Sequence, residues 1–381
     1  MSRDHGRRGP QNIDALQMLR AVAALLVVMW HSRLSIMHAN NNYWVEGDFL
    51  YRASHYPAFL NHLDIGVDIF FCISGFIMNL LIHDEPSTSG SALAFATKRA
   101  VRIFPPYWFF TGLVLLAYVA SRGRFNLASL TGNIASDGGR LLTSLLLVPE
   151  ELPPILGVGW TLIHECLFYL LCALSIAVGL NRRLPTVLSL FSLGAIGLTA
   201  ANVSLMHGYF ASPFTIEFLC GALAFKYRKP LSRFFPGLQL VTAVGCYLAV
   251  SAILDSGIST QMMPFVRSVG SGIIGALLIC GLIGANERIC FSRSLLGAGL
   301  MRIGDASYSL YLSHWLVLST MGKLIWLIPA LPAPGVAAWH VLSIFAAISF
   351  AVIFAEHVEI PIHKRLQAAF LHARTVPVAS G

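Results

Sequence analysis

Ten long apolar segments divide this sequence, and they constrain its fold more than any other feature does. They fall near residues 15–32, 65–83, 104–120, 160–180, 185–203, 212–227, 237–254, 268–286, 305–321 and 338–356. A helix rises ~1.5 Å per residue and a hydrocarbon core is ~30 Å thick, so most segments approach the length of a membrane span. The shorter ones would need tilt or re-entry. The sequence therefore predicts an all-α, polytopic membrane protein of about ten transmembrane helices.

The composition also favours a membrane protein over a soluble one. Of the 381 residues, 56% are hydrophobic and 12% are charged, whereas a soluble domain has about 25% charged residues. The net charge of +8 would suit a nucleic-acid partner, but the basic residues lie in short loops between apolar segments. We therefore expect membrane lipid around the chain and no nucleic acid. The seven cysteines are scattered without metal-like pairs, so we expect neither a disulfide framework nor a metal site.

Lysine and arginine in the connecting loops predict the orientation. With the N-terminus inside, most of them fall in inner loops, as the positive-inside rule requires. This assigns residues 1–13 and 367–381 to cytoplasmic tails and residues 14–366 to one membrane domain. Two long outer loops would then cover residues 33–64 and 121–159. Their aromatic and polar residues are either interfacial and solvated or form a platform for a sugar.

Two ionisable residues lie inside the first apolar segment. Arg20 and His31 are eleven positions apart, so a helix would separate them by ~16 Å along its axis. An arginine at membrane depth costs at least ~2.5 kcal/mol on insertion scales, and such residues usually face a bundle interior or a water-filled cavity. We interpret the pair as a cytoplasmic-side cation and a deeper imidazole, which suits an anionic ligand that extends into the membrane.

Carboxylates on two other segments are candidates to act with His31. Asp64 and Asp68 are four positions apart and share a helix face, at the same outer level as His31. A carboxylate beside an imidazole fixes its tautomer and raises its basicity. We expect Asp64 to cap the helix and Asp68 to act beside His31. Glu165 is an ionisable group inside the fourth apolar segment, which also favours a functional role.

Three further polar residues admit two interpretations each. His164 is either interfacial or competes with His31 for an acid/base role. Glu217 either orients a partner or pairs with a cation from another helix. His314 is either a hydrogen-bonded histidine of the bundle or a catalytic one. The sequence alone does not decide among these alternatives.

A basic block precedes the third apolar segment. It reads Lys98-Arg99-Ala100-Val101-Arg102-Ile103-Phe104-Pro105-Pro106-Tyr107-Trp108. Its cations fit the positive-inside rule alone, and they equally fit phosphate recognition, in which arginine offers bidentate contacts. Pro105 and Pro106 suit the first turn of a helix, so we expect that helix to begin near residue 104.

Taken together, these motifs resemble the acyltransferase-three family of integral-membrane acyltransferases. The resemblance covers the chain from Asp14 to about Leu366 and consists of six blocks in order at fitting spacing. The blocks are Arg20 with His31; Gly66-Val67-Asp68-Ile69-Phe70-Phe71 with Ser74-Gly75-Phe76; Arg99-x-x-Arg102-Ile103-x-Pro105-x-Tyr107; Trp160-Thr161-Leu162-x-x-Glu165-x-x-Phe168-Tyr169; Tyr308-Ser309-x-Tyr311-Leu312-x-His314; and Glu359-x-Pro361. Within the family, the chain resembles the short bacterial exopolysaccharide O-acetyltransferases.

The resemblance implies an enzyme that moves an acyl group, usually acetyl, from cytoplasmic acyl-CoA to a hydroxyl of an exopolysaccharide or another cell-surface glycan. Acyl-CoA would be the donor substrate, a glycan or lipid-linked oligosaccharide the acceptor, and no cofactor would be bound permanently. The resemblance assigns Arg20, Arg99 and Arg102 to the CoA phosphates or to seating its arm. His31 would act at the thioester as a general base or as an acyl carrier. Asp68 or Glu165 would orient or charge-balance it.

Two other functional classes fit part of the sequence. Ten helices with buried Arg, His and Glu would also suit a proton-coupled transporter or exporter of a small anionic or sugar-like solute. The basic, proline-containing block favours the enzyme, because a carrier does not need a phosphate-binding entrance on one side. A non-catalytic assembly partner of polysaccharide synthesis is disfavoured, since buried ionisable groups are costly to keep.

Overall fold

The described part of the chain is built from helices, with no strand. The structure is a computed structural model that describes residues 9–39, 58–120, 134–201, 208–210, 212–259, 262–290, 294–325 and 333–375. The helices are α1 (Gly9–Ala39), α2 (Ala58–Asn61), α3 (Ile65–Ile82), α4 (Ser89–Ala120), α5 (Ile134–Leu145), α6 (Trp160–Ala177), α7 (Leu184–Ala200), α8 (Thr215–Arg233), α9 (Pro236–Asp255), α10 (Met263–Ile289), α11 (Leu295–Asp305), α12 (Ser307–Leu324), α13 (Ala333–Phe354) and α14 (Ile360–Thr375). A π-helical turn, Ala355–Glu359, joins α13 to α14.

Each of the ten predicted apolar segments overlaps one of these helices, which confirms the all-helical prediction. Seven stretches of the described chain are long and apolar enough to cross a membrane. They are Asp14–Ser32, Ile65–Ile82, Ser89–Ala120, Gly157–Ala177, Pro236–Asp255, Met263–Ile289 and Gly335–Ala369. The number of ten spanning helices, the cytoplasmic tails and the domain limits stay predictions. Residues 40–57 and 121–133 of the two long loops lie outside the described residues.

Helix α4 begins fifteen residues before the position expected from its prolines. Pro105 and Pro106 lie inside the helix rather than in its first turn. A proline cannot donate to the carbonyl four residues earlier, and membrane helices tolerate this where a neighbour takes over that carbonyl. Here the His363 imidazole of α14 lies within hydrogen-bond reach of the Val101 carbonyl, which Pro105 leaves free. The basic block is therefore helical.

Helix α1 lies at the centre of the bundle. It packs against α3, α10, α11 and α12. Many of its buried residues are small, and Ala21, Ala23 and Val28 have no exposed surface. Small side chains let membrane helices approach closely. Polar residues of α1 are therefore placed to meet partners from several other helices.

Two glycines set the contact between α3 and α8. A Cβ atom on Gly75 would lie 2.1 Å from the Phe218 carbonyl oxygen, and one on Gly221 would lie 1.9 Å from the Cys72 carbonyl oxygen. Both distances are far below a van der Waals contact, so only glycine fits at either position. The close approach fixes α3, which carries Asp68 and Ser74, relative to the rest of the bundle.

Candidate functional site

A cavity of about 750 Å³, including its mouth, lies among helices α1, α3, α4, α6 and α12. We call it the inner chamber. Three arginines from two helices line it: Arg20 of α1, and Arg99 and Arg102 of α4. The two α4 arginines are three residues apart on a helix and therefore share one face. That shared face is a direct result of the early start of α4.

A second cavity, of about 1250 Å³ including its mouth, adjoins the first. We call it the outer chamber. Arg20 and Arg102 line both chambers, so the two volumes meet at these guanidinium groups. Further polar lining comes from the end of α11 and from the π turn and α14, namely Asp305, Glu359, His363 and Lys364. The two chambers are therefore adjacent, with positive charge on the residues that they share.

The three arginines have few partners of their own. Arg20 donates a hydrogen bond from Nε to Ser307 Oγ at 3.1 Å. The Arg99 guanidinium lies 5.6 Å and 5.7 Å from the ring centres of Phe95 and Tyr169, and its buried Nε has no hydrogen-bond partner in the described part of the chain. Among the described residues, none of the three arginines has a carboxylate within ion-pair distance. Their N–H groups remain available to an anion.

Glu165 is the carboxylate of the inner chamber. Its Oε1 accepts hydrogen bonds from Ser74 Oγ at 3.3 Å and from the Tyr169 hydroxyl. Tyr169 is one helical turn further along α6, so the helix itself presents both groups to the cavity. The negative charge of Glu165 partly balances the arginines across the chamber and leaves a net positive lining.

The outer chamber holds two more carboxylates. Glu359 lies on the π turn and accepts a hydrogen bond from Ser309. Asp305 accepts one from Gln17 at 2.5 Å. Burial raises the pKa of the Asp305 carboxyl, while the positive charge of Arg20 opposes that shift. π turns occur frequently at functional sites, and this one places Glu359 beside the junction of the two chambers.

His31 and His314 form a pair beyond the inner end of the chambers. His31 Nδ1 lies 3.3 Å from His314 Nε2, and the ring centres are 4.7 Å apart in an edge-on arrangement. His314 is fully buried. The ring of Tyr311, which lines the inner chamber, lies 5.8 Å from that of His314. Tyr311 therefore contacts both the chamber and the histidine pair.

The expected contact between Asp68 and His31 is wrong. Asp68 Oδ1 and Oδ2 accept hydrogen bonds from Arg267 Nε at 3.1 Å and from Arg267 Nη2 at 2.8 Å. Arg267 Nη1 also donates to Asp64 at 2.7 Å, and Asp64 makes no capping hydrogen bond. A charge-assisted bidentate contact is stronger than a hydrogen bond to a neutral imidazole. Arg267 lies in the second turn of α10, one position before the apolar segment that begins near residue 268.

Four of the six residues selected from the sequence lie together. Arg20, Arg99, Arg102 and Glu165 line the inner chamber. His31 does not line that chamber but lies beside His314, whose ring is close to Tyr311 of the lining. Asp68 lies in the ion pair with Arg267. The roles of all six stay predictions. No group of three His, Cys, Asp or Glu residues in the described chain could hold a metal ion.

The three residues with two interpretations each lie in different surroundings. His164 lies outside the described lining of both chambers and is buried among the rings of Tyr209 and Phe214, with ring centres 4.8 and 5.2 Å away. Glu217 is fully buried against Asp68, and neither of its oxygens has a hydrogen-bond partner among the described residues. His314 contacts His31. In the sequence, His314 follows Ser307 by two helical turns, which places both polar residues on one helix face.

These features define an all-helical, multi-pass membrane protein with a cationic internal cavity. Comparison with known proteins identifies its family, because the acyltransferase domain matches residues 13–356. The chain belongs to the acyltransferase-three family of integral-membrane acyltransferases. This confirms the resemblance drawn from the six sequence blocks.

Two curated relatives are similar to most of the chain. The exopolysaccharide production protein ExoZ of Rhizobium meliloti (strain 1021) is 34% identical over 266 residues, which cover 68% of this chain and 77% of that protein. Nodulation protein 10 of Rhizobium leguminosarum bv. viciae is 25% identical over 345 residues, which cover 85% of this chain and 87% of that protein. No solved structure matches the chain significantly.

Proposed function

We propose that this protein is an O-acyltransferase of the cell (inner) membrane that moves an acyl group from cytoplasmic acyl-CoA to a hydroxyl of an exopolysaccharide or another cell-surface glycan. Membership of the acyltransferase family supports the transfer of an acyl group. The similarity to ExoZ, an exopolysaccharide production protein, supports a glycan as the acceptor. Acetyl is the acyl group that we propose.

One observation carries the choice of donor. Three guanidinium groups line two adjacent chambers and have no carboxylate partner within ion-pair distance in the described chain. Acyl-CoA has a phosphorylated end followed by a long uncharged arm that carries the thioester. We place its phosphates in the outer chamber beside Lys364 and Arg102, with the arm passing Arg20 into the inner chamber. Arginine donors suit phosphate oxygens through charge-assisted, often bidentate, contacts.

The chemistry then needs one group that accepts a proton or an acyl group. The acceptor hydroxyl oxygen bonds to the thioester carbon, the C–S bond breaks, and the hydroxyl proton ends on the released CoA thiol. As a general base, His31 takes the proton first and then gives it to sulfur. As an acyl carrier, a His31 nitrogen takes the acyl group from sulfur and passes it to the hydroxyl. Both routes need a neutral imidazole with a free lone pair.

The experiment that tests this proposal is acyl-CoA cleavage by the purified protein in nanodiscs, with crude surface glycan present. Wild type should release CoA and acylate the glycan, whereas His31→Ala should do neither while it still inserts and elutes as a folded protein. His340→Ala is the matched control, because His340 is a histidine of the same bundle that contacts Ser32 instead of the chambers. Acyl transfer retained by His31→Ala would overturn the mechanism.

The same assay separates the enzyme from the transporter. Wild-type protein that neither binds nor cleaves acyl-CoA, even with glycan present, would favour a proton-coupled transporter. Solute uptake by proteoliposomes would then be measured under a pH gradient. Comparing acetyl-CoA with succinyl-CoA in the productive assay tests the proposed acyl group, and turnover confined to succinyl-CoA would replace acetyl.

A further inference from the structure

The hydrogen-bond acceptors around His314 determine which of its nitrogens carries the hydrogen. His314 Nδ1 lies 3.0 Å from the Leu310 carbonyl oxygen, which can only accept. Nδ1 of His314 must therefore be the donor. The ring is fully buried, and an unpaired charge there would be expensive. A neutral ring with its hydrogen on Nδ1 leaves a bare lone pair on Nε2.

That lone pair faces His31. Nδ1 of His31 has two neighbours, His314 Nε2 at 3.3 Å and the Val27 carbonyl oxygen at 3.0 Å. Both are acceptors, so Nδ1 of His31 carries its hydrogen and shares it between them. The opposite tautomer would place a lone pair of His31 against both acceptors. The neutral His31 ring therefore has its free lone pair on Nε2, the nitrogen remote from His314.

Contacts between α1 and α12 hold this arrangement at two levels. Arg20 bonds to Ser307 at one level, and His31 meets His314 at the other. The contacts follow the same order along both helices, so α1 and α12 run parallel. Ser307 and His314 are seven residues apart, which places them on one helix face. A shift of α12 along α1 would break both contacts together.

We infer that His314 is a positioning residue that holds His31 in the tautomer whose Nε2 is free to take the proton or the acyl group. The inference deepens the proposed function and rests on it for the role of Nε2. When His31 Nε2 takes a proton, Nδ1–H continues to donate to His314, so one contact serves both states of the ring. The carboxylate expected for this task, Asp68, is held by Arg267 instead.

The first test reads the tautomer directly and needs no activity. Wild-type protein labelled with ¹⁵N-histidine is placed in nanodiscs without substrate, and the His31 signals are assigned by their loss in His31→Asn. We expect a protonated Nδ1 and a bare Nε2. A hydrogen on Nε2 of His31 would overturn the inference even if the protein proves to be an active acyltransferase. An inactive protein with the expected spectrum would instead overturn the proposed function and leave the tautomer assignment standing.

The second test compares two substitutions at position 314. Glutamine can place an oxygen acceptor near the position of Nε2, whereas phenylalanine fills the space without an acceptor. We expect His314→Phe to lower kcat at least tenfold with little change in KM for acyl-CoA, since His314 lies outside the described lining of both chambers. His314→Gln should recover most of the loss.

The control and the spectra complete this comparison. His340→Phe places the same ring at another histidine of the bundle and should leave kcat within about twofold of wild type. In His314→Phe, the His31 spectrum should show both tautomers. Equal losses in the Gln and Phe variants, with an unchanged His31 spectrum, would reduce His314 to a packing residue. If His314→Phe does not yield folded protein, the His31 tautomer in the wild-type spectrum tests the inference by itself.

Discussion

Arg267 holds Asp68 through two parallel hydrogen bonds, 3.1 Å and 2.8 Å long, across the contact between α10 and α3. The Asp68 side chain has no exposed surface, and that of Arg267 is 26% exposed. Removing one partner of such a pair leaves a charge without compensation in a medium that cannot solvate it. The contact therefore ties two helices together, whatever else Asp68 does.

We predict that Asp68→Asn and Arg267→Gln each destabilise the protein strongly. A broken buried pair typically costs about 3–5 kcal/mol. The double variant should recover part of that loss, because both charges of the pair are removed and only the partly exposed Asp64 loses its partner. Thermal unfolding in detergent measures the effect. Asp64→Asn is the matched control, since Asp64 contacts the same arginine but keeps 22% of its side chain exposed. A double variant that is stable but inactive would show that Asp68 also has a chemical role.

Glu217 leads to a second prediction about the same cluster. It is fully buried against the Asp68 carboxylate, and two neighbouring carboxyl groups cannot both ionise without repulsion. An amide removes that conflict and can donate a hydrogen bond. Glu217→Gln should therefore unfold at a temperature equal to or above that of wild type. A large drop in the unfolding temperature would mean that the ionised carboxylate of Glu217 is required.

We predict that Arg20 contributes chiefly to binding of acyl-CoA, the acyl donor. A charge-assisted contact contributes about 1.5–3 kcal/mol, which corresponds to a roughly ten- to hundredfold change in affinity. Arg20→Ala should raise the KM for acyl-CoA by that factor, and Arg20→Lys should recover only part because it cannot form bidentate contacts. Arg302→Ala is the control, because Arg302 pairs with Glu356 on the exposed surface. An unchanged dependence on acyl-CoA in Arg20→Ala would remove this role.

Filling the inner chamber should block the donor without disturbing the fold. Ser74 lines the chamber, whereas Leu80 of the same helix is 40% exposed on the outside of the bundle. Ser74→Phe should lose acyl-CoA cleavage, and Leu80→Phe should keep it. Both variants are compared by CoA release after equal amounts of folded protein are confirmed by size exclusion. Full activity in Ser74→Phe would place the donor elsewhere.

The glycine contacts between α3 and α8 predict that the effect of a glycine-to-alanine substitution on stability depends strongly on its position. Gly75→Ala and Gly221→Ala would each force a methyl group into a backbone carbonyl, and overpacking typically costs about 1–3 kcal/mol or more. A Cβ atom on Gly112 of α4 would meet nothing within 4 Å, so Gly112→Ala should be neutral or slightly stabilising. Thermal unfolding separates the two groups. Similar unfolding temperatures for all three variants would contradict the close packing of α3 against α8.

The apolar segments are sufficient to predict ten of the fourteen helices in the described chain, because about twenty apolar residues in a row leave the backbone few other options. Arg20 and His31 were also recognisable, since ionisable residues inside such segments are costly and therefore few. The start of α4 was not predictable from Pro105, because the free Val101 carbonyl is taken up by His363, more than 250 positions later in the chain.

The partners of the site residues were the part that the sequence could not supply. The sequence predicts that Asp68 and His31 lie at the same depth in the membrane. In the structure, Arg267 of another helix contacts Asp68. His314 became the neighbour of His31 because α12 packs parallel to α1. A single sequence does not show which helices pack against each other. The seven-residue spacing of Ser307 and His314 places both on one helix face, but it does not indicate which helix that face contacts.

The π turn at Ala355–Glu359 makes the site depend on a residue count as well as on residue identity. A π turn contains one residue more than the α-helical path it replaces, and each residue rotates a helix by about 100°. His363 and Lys364, which follow the turn, line the outer chamber. Deleting a single residue from the turn would keep every side chain of α14 and yet point a different face of it at the chamber.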